Sequence, residues 1–294
     1  MWTEGDLNPR LPPCELVERE LDWEKFRKFL SKRCCERVVG DRMRYAKKFS
    51  YCLFTDDFSV INGFSDCKRG HVLNALSALS KYLGVYNKFQ GLVKAYGLKW
   101  KRQNSEMLIL DRIEKTRKNG NIIDWIKKVK EKYPSLTDFL EFILVSGLRF
   151  TEAVHSYNLI VELTKKSEIN NYYNCEKQFL EHYKFKQIFI RRTKKAFVSY
   201  IPKKLIHKIG KNKKISSYQI GNWFSRNREL KSRFSDIREY WATFMTKYLN
   251  LAEIDFLQGR VSASVFMRNY FNPELIDDLK ERVFKGISKI RKIP

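Results

Sequence analysis

Two predicted helices meet at a glycine turn in the stretch Ser146-Gly147-Leu148-Arg149-Phe150-Thr151-Glu152-Ala153. The residues before the turn, from Leu136 to Val145, are mostly apolar and fit a buried helix. Gly147 is the residue type that most readily ends a helix in the left-handed conformation. Thr151 and Glu152 open the next helix, so the stretch places Arg149 at a helix start beside an apolar core.

The rest of the chain surrounds this stretch with excess positive charge. The sequence has 294 residues, with 58 Lys and Arg against 33 Asp and Glu, and a net charge of +25. At ~150 residues per domain this length predicts two domains. Hydrophobic residues make up 43% of the chain, which is too many for a disordered polycation. The pI near 9.8 indicates a polyanionic partner. Nucleic acid is favoured over a membrane surface because basic residues recur along the whole sequence.

Several other classes lack their sequence signals. No apolar run reaches the ~18–20 residues that span a bilayer, and the first residues do not form a signal peptide. We therefore expect a soluble, cytoplasmic protein, associated with the nucleoid of a prokaryotic host, with no membrane partner. The six cysteines form no CxxC pair, so we expect buried thiols, with no zinc site. The chain has no HExxH, Walker A or GxSxG motif, and we expect no metal and no cofactor.

Helical periodicity dominates both halves of the chain. Asp22 is the predicted N-cap of a helix over 22–30, and a second helix covers 71–83 and ends at Gly84. A polar, basic segment at 99–106 is the predicted linker. The domains are accordingly predicted at 1–106 and 107–294. In the second domain, helices are predicted over 122–132 and 136–145, with Ser135 as N-cap of the latter.

One segment of the second domain has a different pattern. The runs 187–192 and 197–202 are rich in β-branched and aromatic residues and flank the polar turn Thr193-Lys194-Lys195-Ala196. This pattern predicts a β-hairpin whose second strand ends at Pro202. The last predicted helix lies within 273–292 and has one apolar face. The fold class is mainly α with a small β-sheet.

The glycine turn resembles the first arginine box of the tyrosine recombinases, T-G-L-R-x-x-E, in which Arg149 and Glu152 match. The second box of that family, H-x-x-R, resembles Ser235-Asp236-Ile237-Arg238. Arg238 stands 32 residues before Tyr270, which is the spacing of the family's arginine and nucleophilic tyrosine. Ser235 departs from the pattern because serine replaces the usual histidine and is not a cation.

Two further segments complete the resemblance. Leu257-Gln258-Gly259-Arg260 resembles the family's L-G-H segment, although Arg260 stands ten residues before Tyr270, one more than is usual. The family's catalytic lysine lies in a β-hairpin turn, where this chain offers Lys194 and Lys195. Lys194 is the preferred candidate because R-T-K is one form of the motif. The lysine-rich chain is most similar to integrases of archaeal viruses, such as the fuselloviruses, and of plasmids.

The resemblance implies a site-specific DNA recombinase. Its fold would be a two-domain C-shaped clamp, with a helical core-binding domain and an α+β catalytic domain. Tyr270 would cleave DNA through a 3′-phosphotyrosyl intermediate and rejoin it, without metal or ATP, to integrate or excise a viral or plasmid element. The catalytic residues would be Arg149, Lys194, Arg238, Arg260 and Tyr270. The partners would be double-stranded attachment sites and further copies of the chain, in a tetramer on DNA.

Two alternatives remain open. A type IB topoisomerase-like strand transferase would use the same tyrosine and arginine chemistry. A catalytically inert DNA-binding protein, derived from a recombinase, would account for Ser235. The sequence does not determine the target site, or whether Tyr270 acts in cis or in trans.

Overall fold

The computed structural model of this chain describes residues 21–99, 105–191, 194–227, 230–261 and 265–292. It divides into two compact units, Met1–Leu108 and Ile109–Pro294. The described residues are mainly helical, with one small sheet, as the sequence predicts. Most of the expected linker falls on residues 100–104, which lie outside the described residues. In the described part of the chain, every helix is too short or too polar to span a membrane.

The first unit consists of helices. They are α1 Trp23–Ser31, α2 Glu36–Phe49, α3 Tyr51–Thr55, α4 Ser59–Asn62, α5 Asp66–Tyr82 and α6 Tyr86–Ala95, and α7 Ser105–Asn119 begins at its end. The predicted N-cap of α1 is confirmed, because the Asp22 carboxylate accepts a hydrogen bond from the Lys25 backbone N–H at 2.9 Å. Gly84, which was expected to close the predicted 71–83 helix, follows α5 with a left-handed φ of 74°.

The core of the first unit forms around α5. Leu73, Leu76 and Leu79 of this helix are fully buried, together with Phe26 of α1 and Val39 of α2. The three leucines recur at intervals of three residues, which places them on the inward face of α5. Removing this apolar surface from water is the main stabilising contribution to the unit.

The second unit contains the remaining elements. Its helices are α8 Ile122–Lys132, α9 Thr137–Ser146, α10 Phe150–Lys165, α11 Lys186–Phe189, α12 Lys203–Gly210, α13 Ser217–Arg226, α14 Phe234–Met245, α15 Leu251–Leu257, α16 Val265–Asn269 and α17 Leu279–Ile290. Its strands are β1 Tyr173–Asn174, β2 Phe179–Glu181 and β3 Val198–Tyr200. Short 3-10 turns occupy Pro134–Leu136, Ile169–Asn171, His182–Lys184 and Pro273–Leu275.

The start of α9 differs from the prediction. Ser135 lies inside the 3-10 turn Pro134–Leu136, and its side chain caps no helix. Pro134 causes this difference, since its fixed φ starts the turn before α9 begins at Thr137. The predicted helix over 122–132 is confirmed as α8, whose N-cap Asn121 accepts from the Ile123 N–H at 3.0 Å.

The predicted β-hairpin is wrong in its first strand. Residues 186–189 form the short helix α11, and only one isolated bridge, Ile190 with Lys195, remains of the expected ladder. The helical turn buries Phe189 against the His182 ring, with 4.5 Å between ring centroids. The second run does form a strand, β3, which pairs antiparallel with β2. Its partner was missed because β2 has only three residues.

The expectation of buried cysteines is mostly wrong. Among the described cysteines, all carry free thiols and Cys52 alone is buried. Cys35 precedes α2, Cys67 lies in the first turn of α5, and Cys175 lies in the turn between β1 and β2. These are helix starts and a turn, where side chains face water. Cys14 lies outside the described residues.

Candidate active site

The glycine turn brings three helices together. Gly147 follows α9 with a φ of 61°, in the left-handed region that only glycine adopts without strain. A Cβ at this position would lie 2.5 Å from Cδ2 of Trp241 in α14. Trp241 is buried and donates from its indole N–H to the Val145 carbonyl at 2.9 Å. The glycine therefore allows α14 to pack directly against the turn that precedes Arg149.

Arg149 is held in place by a buried carboxylate. Its Nη1 donates to Glu152 Oε1 at 2.9 Å and to the Lys195 carbonyl at 3.2 Å. The Glu152 carboxylate is 1% exposed and also accepts from Arg191 Nη2 at 3.1 Å. A buried carboxylate needs such cationic partners to offset its lost hydration. Glu152 thereby fixes one of the predicted arginines and leaves its Nη2 available.

Arg238 is held by backbone carbonyl groups. Its Nη1 donates to the Gly147 carbonyl at 2.8 Å, and its Nη2 donates to the Gln258 carbonyl at 2.6 Å. The Gln258 side chain, which is 1% exposed, donates from Nε2 to the Arg238 carbonyl at 3.1 Å. Within the described chain, no carboxylate forms an ion pair with Arg238. Its positive charge is therefore fixed in position but not neutralised.

The three predicted arginines lie close enough together to interact electrostatically. Burial, with the nearby charges of Arg149 and Arg260, lowers the pKa of Arg238 to about 9. Arg238 therefore keeps its proton at neutral pH. Arg260 is half-exposed and lies 3.7 Å from the Asp255 carboxylate. A bound anion would relieve the mutual repulsion of these guanidinium groups, and the planar fork of a guanidinium group is suited to phosphate oxygens.

The turn that precedes Arg260 also requires glycine. Gly259 has a φ of 65°, and a Cβ there would lie 1.8 Å from the Lys195 carbonyl oxygen. The same oxygen accepts the hydrogen bond from Arg149. Gln258, on the other side of the glycine, contacts Arg238. This turn therefore sets the separation between Arg149 and Arg238.

The candidate lysines lie on an exposed loop. The Lys194 carbonyl accepts from the Arg191 backbone N–H at 2.9 Å, and the Lys194 side chain is exposed. Arg192 and Thr193, which complete the R-T-K turn, lie outside the described residues. The structure brings the backbone of Lys195 to Arg149. It does not bring the Lys194 ammonium into contact with a described arginine.

Tyr270 has an exposed side chain. It follows α16, is 73% exposed, and its backbone N–H donates to the Phe266 carbonyl at 2.9 Å. Its hydroxyl forms no hydrogen bond with a described residue. The next residue, Phe271, packs on Phe256 of α15 with 5.4 Å between ring centroids. The structure therefore attaches the tyrosine segment beside the turn of Arg260 but leaves the phenol in solvent.

Two cations that sequence reasoning missed lie beside Ser235. The Ser235 hydroxyl donates to Asp236 Oδ1 at 3.1 Å, and Lys115 of α7 contacts the same oxygen at 2.5 Å. Arg233 Nε donates to Asp236 Oδ2 at 2.9 Å. Arg233 was discoverable as an i,i+3 partner of Asp236. Lys115 was not, because it is 121 residues away in sequence.

Other contacts of the cluster were also missed. Arg191 and Gln258 both contact predicted site residues, and neither has a local sequence signal beyond its charge or polarity. No group of three or more His, Cys, Asp or Glu that could hold a metal ion occurs among the residues described.

A comparison with protein families identifies the class. The model of the archaeal phage integrases matches residues 115–283, which is more than half of the chain and includes all five predicted site residues. The chain belongs to the archaeal phage integrase family. This membership supports a role in integration and recombination of DNA. No curated protein and no solved structure matches the chain.

Proposed function

We propose that this protein is a tyrosine strand transferase that recombines DNA at specific sites. The observation that carries the proposal is the convergence of Arg149, Arg238 and Arg260, with Arg238 charged and forming no ion pair with a described carboxylate. Such a cluster can stabilise the negative charge that develops on a phosphodiester during in-line displacement. Family membership provides the second support, because it associates the chain with integration.

The proposed reaction conserves the energy of the phosphodiester bond. The Tyr270 oxygen attacks the phosphorus and forms a 3′-phosphotyrosyl bond while the bond to the 5′ oxygen breaks. The phenol proton passes to solvent as the bond forms, and nearby cations are needed to stabilise the phenolate. Lys194 is proposed to donate a proton to the departing 5′ oxygen. A 5′ hydroxyl of another strand then reverses the attack, so the reaction needs neither water nor ATP.

The partners in this proposal are double-stranded attachment sites. Recombination joins two sites, so a tetramer of the chain on DNA is expected to form the active complex. A topoisomerase would use the same steps on one duplex and would rejoin the strand that it cut. An assay that compares DNA carrying one site with DNA carrying two sites separates these functions, because only recombination requires the second site. The C-shaped arrangement of two domains around the duplex stays a prediction.

Covalent capture tests the proposal. Wild-type protein and Tyr270→Phe are incubated, without metal, with nicked duplexes that together cover the genome encoding the chain. The products are resolved on a denaturing gel. Tyr218→Phe is the matched control, because Tyr218 is 75% exposed and Tyr270 is 73% exposed.

The proposal predicts a protein–DNA adduct with wild type and with Tyr218→Phe, but not with Tyr270→Phe. An adduct with all three proteins would place the nucleophile elsewhere. If none forms an adduct while all bind the DNA, the inert-binder alternative is supported. Ser235 and the solvent-exposed phenol of Tyr270 are the observations that favour that alternative.

A further inference from the structure

A cation-lined cavity lies in the first unit, apart from the residues of the proposed reaction. It has a volume of about 210 Å³ and is formed by the end of α1, by α2 and by one face of α5. Three cations line it, Arg33, Arg42 and Lys81. At ~30 Å³ per water molecule, the cavity has room for roughly seven waters, or for a phosphate group with part of its hydration shell.

The three cations have neutral partners. The Arg33 guanidinium lies 5.2 Å from the centre of the Phe29 ring, and the Lys81 ammonium lies 4.5 Å from that of Tyr86. Arg42 Nη1 donates to Cys34 Sγ at 3.3 Å. In the described part of the chain, none of these cations forms an ion pair with a carboxylate. Their charges therefore face the cavity uncompensated.

Carboxylates close by in sequence are paired with other cations. Asp22 binds Lys25, Glu36 binds Arg27, and Asp41 binds Arg44. These pairs are exposed, so each contributes little to stability. They do, however, occupy those acidic groups, so that the cavity keeps a net positive charge.

Neutral hydrogen-bond donors complete the cavity. Asn74 and Ser77 of α5 line it about two turns and one turn before Lys81. Positions 74, 77 and 81 recur at intervals of three and four residues, so they share one face of the helix. An amide, a hydroxyl and three cations around a small cavity form a donor set suited to an anion with several oxygens.

We propose that this cavity binds a phosphate group of the DNA backbone. The choice of DNA as the source of the phosphate rests on the proposed function, whereas the anion chemistry rests on the cavity itself. A backbone phosphate contact fixes position without reading sequence. The cavity would thus anchor the first unit on the duplex independently of the base sequence.

The test measures DNA binding by the full-length chain. Fluorescence anisotropy gives the Kd for a mixed-sequence duplex over a range of NaCl concentrations. Asn74→Asp places a carboxylate among the three cations. Asn87→Asp is the matched control, because Asn87 is also exposed on a helix of the same unit but does not line the cavity.

The expected result follows from counterion release. Loss of one phosphate contact reduces the magnitude of the negative slope of log K against log salt by about 0.9. Taking ~1 M salt as the reference, this corresponds to roughly eightfold weaker binding at ~0.1 M salt. Asn74→Asp should show this change, and Asn87→Asp should change Kd less than twofold. Equal effects of the two substitutions would contradict the proposal.

A second set of variants separates charge from folding. Arg42→Gln should reproduce the lower slope, and Arg42→Lys should restore it, because lysine keeps the charge. Circular dichroism melting checks that both variants fold. If Arg42→Gln instead abolishes calorimetric binding of inorganic phosphate but leaves the DNA slope unchanged, the cavity binds free phosphate and the backbone assignment is wrong. If the wild-type protein binds DNA but forms no covalent adduct, that result contradicts the proposed function and leaves the phosphate-binding proposal standing.

Discussion

Arg238 and Tyr270 belong to the same unit and the same proposed reaction, but their surroundings differ. Arg238 is partly buried and is held by the Gly147 and Gln258 carbonyls. Tyr270 is 73% exposed and forms no side-chain hydrogen bond within the described chain. The comparison teaches that Arg238, which is proposed to stabilise charge, is held in place by the folded chain, whereas no described side chain holds the phenol of the proposed nucleophile.

Among the exposed groups, Lys194 is expected to have the largest effect on the cleavage rate. Lys194→Ala should slow cleavage of an ordinary duplex by about 10²–10⁴, the usual contribution of a general acid. A substrate with sulfur at the bridging 5′ position should restore the rate, because a thiolate leaves without a proton. Single-turnover adduct formation measures both rates. Lys195→Ala is the control, and an equal loss and rescue there would contradict the choice of Lys194.

Substitution of Arg238, which is fixed by backbone carbonyls, should cause a smaller loss of rate. Arg238→Ala should lower the single-turnover rate by on the order of 10²–10³, by analogy with the loss of an oxyanion donor. Arg238→Lys should not restore it, because lysine lacks the planar fork that reaches both carbonyls. Arg260→Ala, at a half-exposed position, should lose less. Equal losses at the two positions would remove the distinction between fixed and exposed groups.

The turns that support the arginines predict a change in stability. Gly259→Ala should destabilise the chain by more than about 1 kcal/mol, because the new Cβ meets the Lys195 carbonyl at 1.8 Å and the φ is positive. Gly221→Ala is the matched control, since nothing lies within 4 Å of its Cβ in α13. That substitution should stabilise by roughly 0.5–1 kcal/mol. Urea unfolding measures both, and destabilisation by Gly221→Ala would argue against this account.

The buried His182, which directly follows β2, predicts that the stability of the chain depends on pH. His182 forms a hydrogen bond with the Tyr172 hydroxyl at 2.6 Å and another with the Ser199 hydroxyl at 2.9 Å. Burial lowers the pKa of His182 to about 3. Above pH 6.5 the folded and unfolded chains both hold it neutral. Below that pH the unfolded state gains a proton that the folded state resists, so stability falls as the pH decreases from 6.5 toward 3.

The size of this effect is set by proton linkage. The free energy of unfolding should fall by up to about 1.4 kcal/mol per pH unit. Urea unfolding between pH 7 and pH 5 measures it, and His182→Gln should flatten the dependence while lowering stability at pH 7. The exposed His207 provides the control, because His207→Gln should leave the dependence unchanged. An unchanged slope in His182→Gln would contradict the assignment.

The fold was predictable where the signals are local. Asp22 as a cap and the glycine turn before Arg149 follow from the few residues around them. The hairpin prediction failed because the run at 187–192 has β-type residues, while burial of Phe189 favours a helical turn. Strand β2 was too short for its alternation to be recognised.

The candidate site was predictable only in part, for the same reason. Arg149 and Arg238 were selected from motif spacing, and the folded chain brings them close enough to interact electrostatically, while their catalytic roles stay a prediction. Gln258, Arg191 and Lys115 contact them or their neighbours only after folding, across 20 to 121 residues of sequence. Tyr270 was selected from its spacing to Arg238, and its role as the nucleophile stays a prediction.

Mapping the covalent bond tests the central claim most directly. The adduct formed by wild-type protein on cleaved DNA is digested with nuclease and protease, and mass spectrometry locates the phosphorylated tyrosine. The account predicts a nucleotide attached through a 3′ phosphate to Tyr270, and slower formation of the same adduct by Arg238→Ala, by on the order of 10²–10³. A phosphate on any other residue, or a 5′ linkage, would contradict it.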